Sequence, residues 1–226
     1  HAGARKFRLG LIAVFLISCS CSWGLQAVPD TAFRAYDLQV EHAPRMMNAQ
    51  QSRLAASAVE DGIHIVWDNR IGVPSMLRGK NLGQRSRYSA GKGLPIVGNP
   101  ASDAIAVLDN ISGIMNIRDA QREFAAKQPE TDQLGFQHVR ANQTYQGLQV
   151  FGGQLIVHFD NQNNAYQVNG SYVPEIALDI TPRLAAAQAI QVAANDLANM
   201  HKETILLQTS PELVVYAWNA PAHLAY

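Results

Sequence analysis

Cysteine is almost absent from this 226-residue chain: Cys19 and Cys21 are the only two, and both stand near its start. The body therefore has no thiol for a disulfide, a cysteine-based zinc site or a nucleophile, which excludes thiol and redox mechanisms there. Charge of one sign is lacking too. Lys plus Arg and Asp plus Glu number 18 each, so no field over the whole chain favours nucleic acid, an anionic membrane or an acidic substrate. Catalytic constellations are also missing. The histidines sit at positions 1, 42, 64, 138, 158, 201 and 223, no two of them four apart, so there is no His-Glu-x-x-His zinc helix. A Gly-x-Ser-x-Gly elbow is absent. Gly79-Lys80 and Gly91-Lys92 fail the phosphate-loop spacing because Pro74 and Ser86 stand where glycine is needed. Glu130 and Asp132 are close in sequence but lie in a loop, where two solvated carboxylates make no glycosidase pair.

What is present supports a folded, exported protein. With 47% apolar and 16% charged residues the chain can bury a core and has room for one large or two small domains. Arg5, Lys6 and Arg8 precede the apolar stretch from Leu9 to Ser18, which is of signal-segment length and too short to cross a bilayer as a mature helix. Cleavage after Ala27 is one reading. The run Leu16-Ile17-Ser18-Cys19 also resembles a bacterial lipobox, which makes Cys19 a candidate for lipidation and leaves a second reading open. Either places the protein outside the cytoplasm, secreted or in the periplasm or cell envelope, with membrane contact only through a signal peptide or lipid anchor. Residues 28 to 62 show no clear period and read as a weakly structured or short-helical lead-in.

Between Arg70 and Lys92 six basic residues occur with no acid among them, alongside Gly and Ser, which predicts an exposed basic loop. Ser102 to Ile117 has helical spacing. From Gln137 to Tyr145, Val139 and Ala141 alternate with His138, Arg140 and Asn142, giving a strand with one wet face. Gln146-Gly147 predicts a turn, and Leu148 to Phe159 a strand with a bulge or close approach at Gly152-Gly153. A second turn at 161 to 164 leads to a third strand on which Tyr166, Val168 and Tyr172 share a face. Thr181-Pro182 reads as a helix start, with an apolar stripe of Ala187, Ile190, Ala194 and Leu197. Residues 213 to 218 and 223 to 226 read as a hairpin around Asn219-Ala220-Pro221. The fold class expected is α+β, as two small modules, each an antiparallel sheet packed on a helix. His138 and His158 could face each other across the Gln146-Gly147 turn, as a two-histidine metal site or as plain surface residues. Asn110, Asn142 and Asn169 begin glycosylation triplets that read as incidental.

The segment from Asp132 to Gly153 is similar to the centre of the fungalysin/thermolysin propeptide: Asp132, Gly135, His138-Val139-Arg140, Gln143, Tyr145, Gly147 and Val150-x-Gly152-Gly153 follow in that family's order. Upstream, Gly72 to Leu82 resembles the family's leading strand. Downstream, Val157 to Asp160 and Val168-Asn169-Gly170 continue the match. Thr181-Pro182, Pro211 to Tyr216 and Leu224 to Tyr226 resemble the PepSY module that follows in such precursors. This resemblance implies cystatin-like modules, divided as a signal peptide at 1–27, the lead-in at 28–62, a propeptide domain at 63–175 and a PepSY-like domain at 176–226, cut short at its end. It further implies the pro-region of a secreted thermolysin-like zinc metalloprotease, a folding assistant and inhibitor whose partner is the catalytic domain in cis. Zinc and calcium would belong to that domain and none to this chain. The alternative is a stand-alone exported inhibitor or lipoprotein built from the same modules. The wet face with His138, Arg140 and Asn142, or the sheet edge, is the candidate docking surface.

Overall fold

The computed structural model describes residues 47–84, 86–91, 93–201, 210–217 and 221–226. The signal segment, Cys19 and the turn residues 218–220 lie outside them. The chain is α+β. Its centre is an antiparallel meander of β5 (Gln137–Tyr145), β6 (Leu148–Phe159) and β7 (Ala165–Ser171). Beyond β7 lie β2 (Val73–Arg78) and β1 (His64–Asp68). Beyond β5 lie β3 (Phe124–Ala126) and β4 (Glu130–Thr131), giving the order β1-β2-β7-β6-β5-β3. The β5–β6 hairpin closes through Gln146 and Gly147, both at positive φ (49° and 87°), the turn whose twist matches that of two-residue hairpins.

One face of this sheet is the core. Val139, Ala141, Leu155, Val157, Phe159 and Val168 point into it and meet α1 (Ala49–Glu60), α2 (Pro100–Asn110), α3 (Ser112–Met115) and α4 (Ala120–Glu123). Helix α2 begins at Asn99, whose Oδ1 accepts from the Ser102 N–H, with Pro100 in the first turn. Buried Asp103 accepts hydrogen bonds from the Val97 and Gly98 amides and from Asn163 Nδ2, tying the α2 start to the β6–β7 turn. Asn110 is buried, its Nδ2 donating to Gly83 O and Leu94 O, so it offers no glycosylation site.

Residues 49–60 of the lead-in take the short-helical alternative as α1, which is moreover an element of the core. Ala55 and Ala58 are buried, and Gln51 Nε2 donates to Gly72 O (3.0 Å) and Ile114 O (2.8 Å). Other expectations are corrected. Residues 70 to 92 are no exposed basic loop: β2 and two short 3-10 turns, Leu82–Gln84 and Ser86–Tyr88, run through them. The apolar residues interleaved with the basic ones, Val73, Leu77, Leu82 and Tyr88, are buried, while Arg87 and the Tyr88 hydroxyl both bind Asp61. A bulge at Tyr166 turns Ala165, not Tyr166, into the core and sets the tyrosine ring against His158 and Phe136. The last helix, α5 (Ala186–His201), starts after Thr181-Pro182. Gln188 Oε1 accepts from the Ala185 N–H, the glutamine half of a capping box, while the Thr181 N–H donates to Asp179.

Two compact units divide the chain. One holds residues 41–182 and 213–226, the other α5 with the segment 183–212. Strands β8 (Val214–Tyr216) and β9 (His223–Ala225) form the expected antiparallel pair. Residues Val150 and Phe151 of β6 pair in parallel with β8, so these strands join the unit that holds the meander. Within the unit of α5, no described side chain of that helix is buried.

Candidate binding face

The wet face of the meander is organised in rows by strand register. One row runs His64, Arg78, Gln167, His158, His138, and the next runs Val66, Met76, Asn169, Ile156, Arg140. A shorter third row is Ser171, Gln154, Asn142. Apolar Val66, Met76 and Ile156 thus sit between polar neighbours on a face five strands wide.

At one end of the first row the turn before β5 is built around Asp132. Its Oδ1 accepts from the Leu134 and Phe136 amides, and Gly135 takes the positive φ (80°) that the turn requires. Desolvation raises the Asp132 pKa, but those amides and the His138 ring outweigh it and hold the carboxyl below its ordinary value. Its Oδ2 meets His138 Nε2 at 3.2 Å. Across the strands His138 Nδ1 and His158 Nδ1 are 2.8 Å apart, and His158 Nε2 meets Asn169 Oδ1 at 2.6 Å. Gln167 Nε2 donates to the same Oδ1, which marks that atom as an acceptor. Both Nε2 atoms are therefore N–H donors, and the Nδ1 contact is a hydrogen bond only when one Nδ1 carries a proton. Burial lowers the His158 pKa against the Asn169 hydrogen bond, with the charges of His138 and Arg140 adding to the decrease.

A second polar chain lies alongside. Arg140 Nε meets Glu130 Oε1 and its Nη1 meets Gln154 Oε1, both at 3.2 Å, and Gln154 Nε2 donates to Asn142 Oδ1 at 2.7 Å. Sequence reasoning named Arg140 and Asn142 but missed Gln154. The period-2 alternation of β6, which puts Leu155 and Val157 inside, carried the signal for it.

The other motif residues hold the fold together. Gln143 is buried, its Nε2 donating to Val173 O and its Oε1 accepting from Val173 N. Tyr145 does the same with its hydroxyl at Leu178, so two β5 side chains strap down the segment after β7. Gly153 gives Gln143 its place, since a Cβ there would lie 2.6 Å from Gln143 Oε1. Gly152 takes a φ of 75° at the β6 bulge, and Gly147 closes the hairpin. Beside the strap opens a cleft of about 470 Å³, lined in part by Arg118, Arg122, Glu123, Thr144, Gln146 and Glu175. Glu123 is occupied there: its Oε1 caps the Arg118 and Asp119 amides, and its Oε2 accepts from Tyr172. Burial raises the Tyr172 pKa, reinforced by the Glu123 charge.

The sheet, strap and polar rows define an α+β scaffold with one largely polar sheet face. Residues 122–172 match the Fungalysin/Thermolysin Propeptide Motif, from α4 through β7 and on to Tyr172. That stretch, less than half of the chain, contains the Asp132 turn, both histidines, the strap side chains and the glycines, and is similar to a thermolysin-type propeptide region. Among solved structures, the C-terminal domain of YpeB from Bacillus megaterium is similar at 9% identity, over 76% of this chain and 80% of that one, with a TM-score of 0.35. A likeness that loose bears on neither fold nor function. No helix of the described residues is long and apolar enough to cross a membrane.

Proposed function

We propose that this chain is the pro-region of a secreted thermolysin-like zinc metalloendopeptidase precursor. It assists folding of the catalytic domain in cis and holds it latent, and it is not itself the catalyst. The observation that carries the reading is the propeptide match over residues 122–172, a stretch whose motif residues each have a physical task in this fold. The export signal at 1–27 agrees with it, and zinc and calcium are assigned to the catalytic domain. The PepSY-like reading of residues 176–226 is kept as part of the proposal.

Docking is assigned to the open face. Its mixture of aliphatic side chains with Arg140, Asn142 and Gln154 has the composition of a non-obligate interface. Arg140 is 44% exposed and its partner Glu130 63%, so the ion pair adds little to stability and is free to exchange partners. The test is to titrate the chain into a mature thermolysin-type protease, preferably the cognate one, following peptide hydrolysis. Inhibition should rise with dose. No inhibition by chain shown to be folded would overturn the inhibitory role, and undiminished inhibition after Arg140→Ala with Asn142→Ala would move docking off this face.

A further inference from the structure

We propose that His138 and His158 form a two-histidine site for a divalent transition-metal ion, with Asp132 and Asn169 orienting the rings. This departs from the sequence expectation that the chain itself holds no metal, and it stands independently of the pro-region reading.

The argument begins with the far side of each ring. Proteins that bind a metal through imidazole fix the ring by letting its other N–H donate to a carboxylate or carbonyl. Here His138 Nε2 meets the Asp132 carboxylate at 3.2 Å and His158 Nε2 meets the Asn169 amide oxygen at 2.6 Å, both interactions across tight turns or adjacent strands. The remaining nitrogens, the two Nδ1 atoms, face each other at 2.8 Å from directly opposed positions of β5 and β6. Asp132 Oδ1 is held by two backbone amides, so the carboxylate is fixed before any metal arrives.

The spacing selects among ions. With metal–nitrogen bonds of about 2.0–2.1 Å, two nitrogens at a right angle on a tetragonal ion lie about 2.9 Å apart, and at a tetrahedral angle about 3.3 Å. The observed separation fits the tetragonal case, as for Cu²⁺ or Ni²⁺. Zinc would require the rings to open by about 0.5 Å. Imidazole ligates a metal only as the neutral base, so affinity rises with pH. Among the described residues no group of three or more His, Cys, Asp and Glu side chains is set to hold a metal, so the remaining positions on the ion go to water. His138 is 24% exposed and leaves a path from solvent.

The experiment is a calorimetric titration of CuCl₂ and of NiCl₂ into the full chain carrying Cys19→Ser and Cys21→Ser, which removes the thiols as competing ligands. One equivalent should be lost in His138→Gln and equally in His158→Gln, with far-UV circular dichroism unchanged. Asn169→Ala keeps both ligand nitrogens but frees one ring, and should weaken binding about tenfold. Pulsed electron paramagnetic resonance of the Cu²⁺ form should show two coupled imidazoles. Unchanged stoichiometry and affinity in both histidine variants, or a spectrum with a single imidazole, would overturn the site. If the variants fail to fold, the parent chain still decides. Nitrogen-15 spectra at neutral pH should show both rings protonated at Nε2, and an Nε2 without its hydrogen in either ring would sink the proposal.

Discussion

At Gly170 the backbone leaves no room for a side chain. Its φ is 139°, and a Cβ there would lie 2.1 Å from Gln154 O, a backbone atom of the neighbouring strand. Gly170→Ala should therefore cost about 3 kcal/mol, combining a disallowed conformation with overpacking. That corresponds to a fall of roughly 6–12 °C in Tm for a domain of this size, measurable by thermal denaturation. A drop under about 2 °C would mean that β6 and β7 separate at no cost. Acid sensitivity is argued at the same scale. Desolvation raises the Asp160 pKa, but the Asn164 backbone and side chain and the Gln162 amide outweigh it and hold the carboxyl below its ordinary 3.8. Asp68 is likewise lowered, chiefly by its hydrogen bond to Arg70. Folded-state values below the unfolded ones mean that the folded state binds fewer protons, so this stability is present above pH 3.8 and lost as pH falls through the folded values. Asp160→Asn keeps an oxygen acceptor without the titration. Its Tm should fall less steeply than that of the parent between pH 5 and pH 2.5, and parallel curves would remove Asp160 from the acid limb.

At the scale of elements, the meander was legible because alternation with period 2 and the Gln146-Gly147 turn need no information from afar. The opposed histidines followed from that hairpin. Helix α1 was legible only as one alternative for the lead-in and its place in the core not at all, since Ala55 and Ala58 make its contact face from methyl groups and leave little contrast between its sides. Strand β2 was legible only through the resemblance of Gly72 to Leu82 to a family strand, because the basic residues around it masked the inward alternation of Val73 and Leu77. The parallel pairing of β8 with β6 and the strap held by Gln143 and Tyr145 are contacts between distant segments, which no local pattern announces. The α5 start was misread because Thr181-Pro182 carries the stronger local signal, while Gln188 supplies the cap that is used. The importance of α1 can be measured. A chain starting at residue 63 exposes part of the cluster around Ile63, Val73 and Ile114 and loses the two Gln51 hydrogen bonds. It should unfold without cooperativity in calorimetry, whereas one starting at residue 47 should keep a single transition. Equal transitions would show that α1 is dispensable.

For the molecule as a whole, the proposed pro-region role would make latency depend on tethering more than on affinity. An inhibitor joined by a short flexible linker acts at roughly millimolar effective concentration, so a Kd of about 1 μM already leaves about 99.9% of the enzyme blocked. Once the junction is cut, the same contacts hold only above that Kd. This suits the open face described above, where exposed polar pairs such as Arg140 with Glu130 exchange partners at low cost. An uncut precursor diluted from 10 μM to 10 nM should remain inactive toward a peptide substrate. The cut mixture should regain most of its activity over the same dilution, with a midpoint near the Kd measured in trans. Inhibition of the cut mixture that survives dilution would mean that binding alone maintains latency, and the tether would have no part in it.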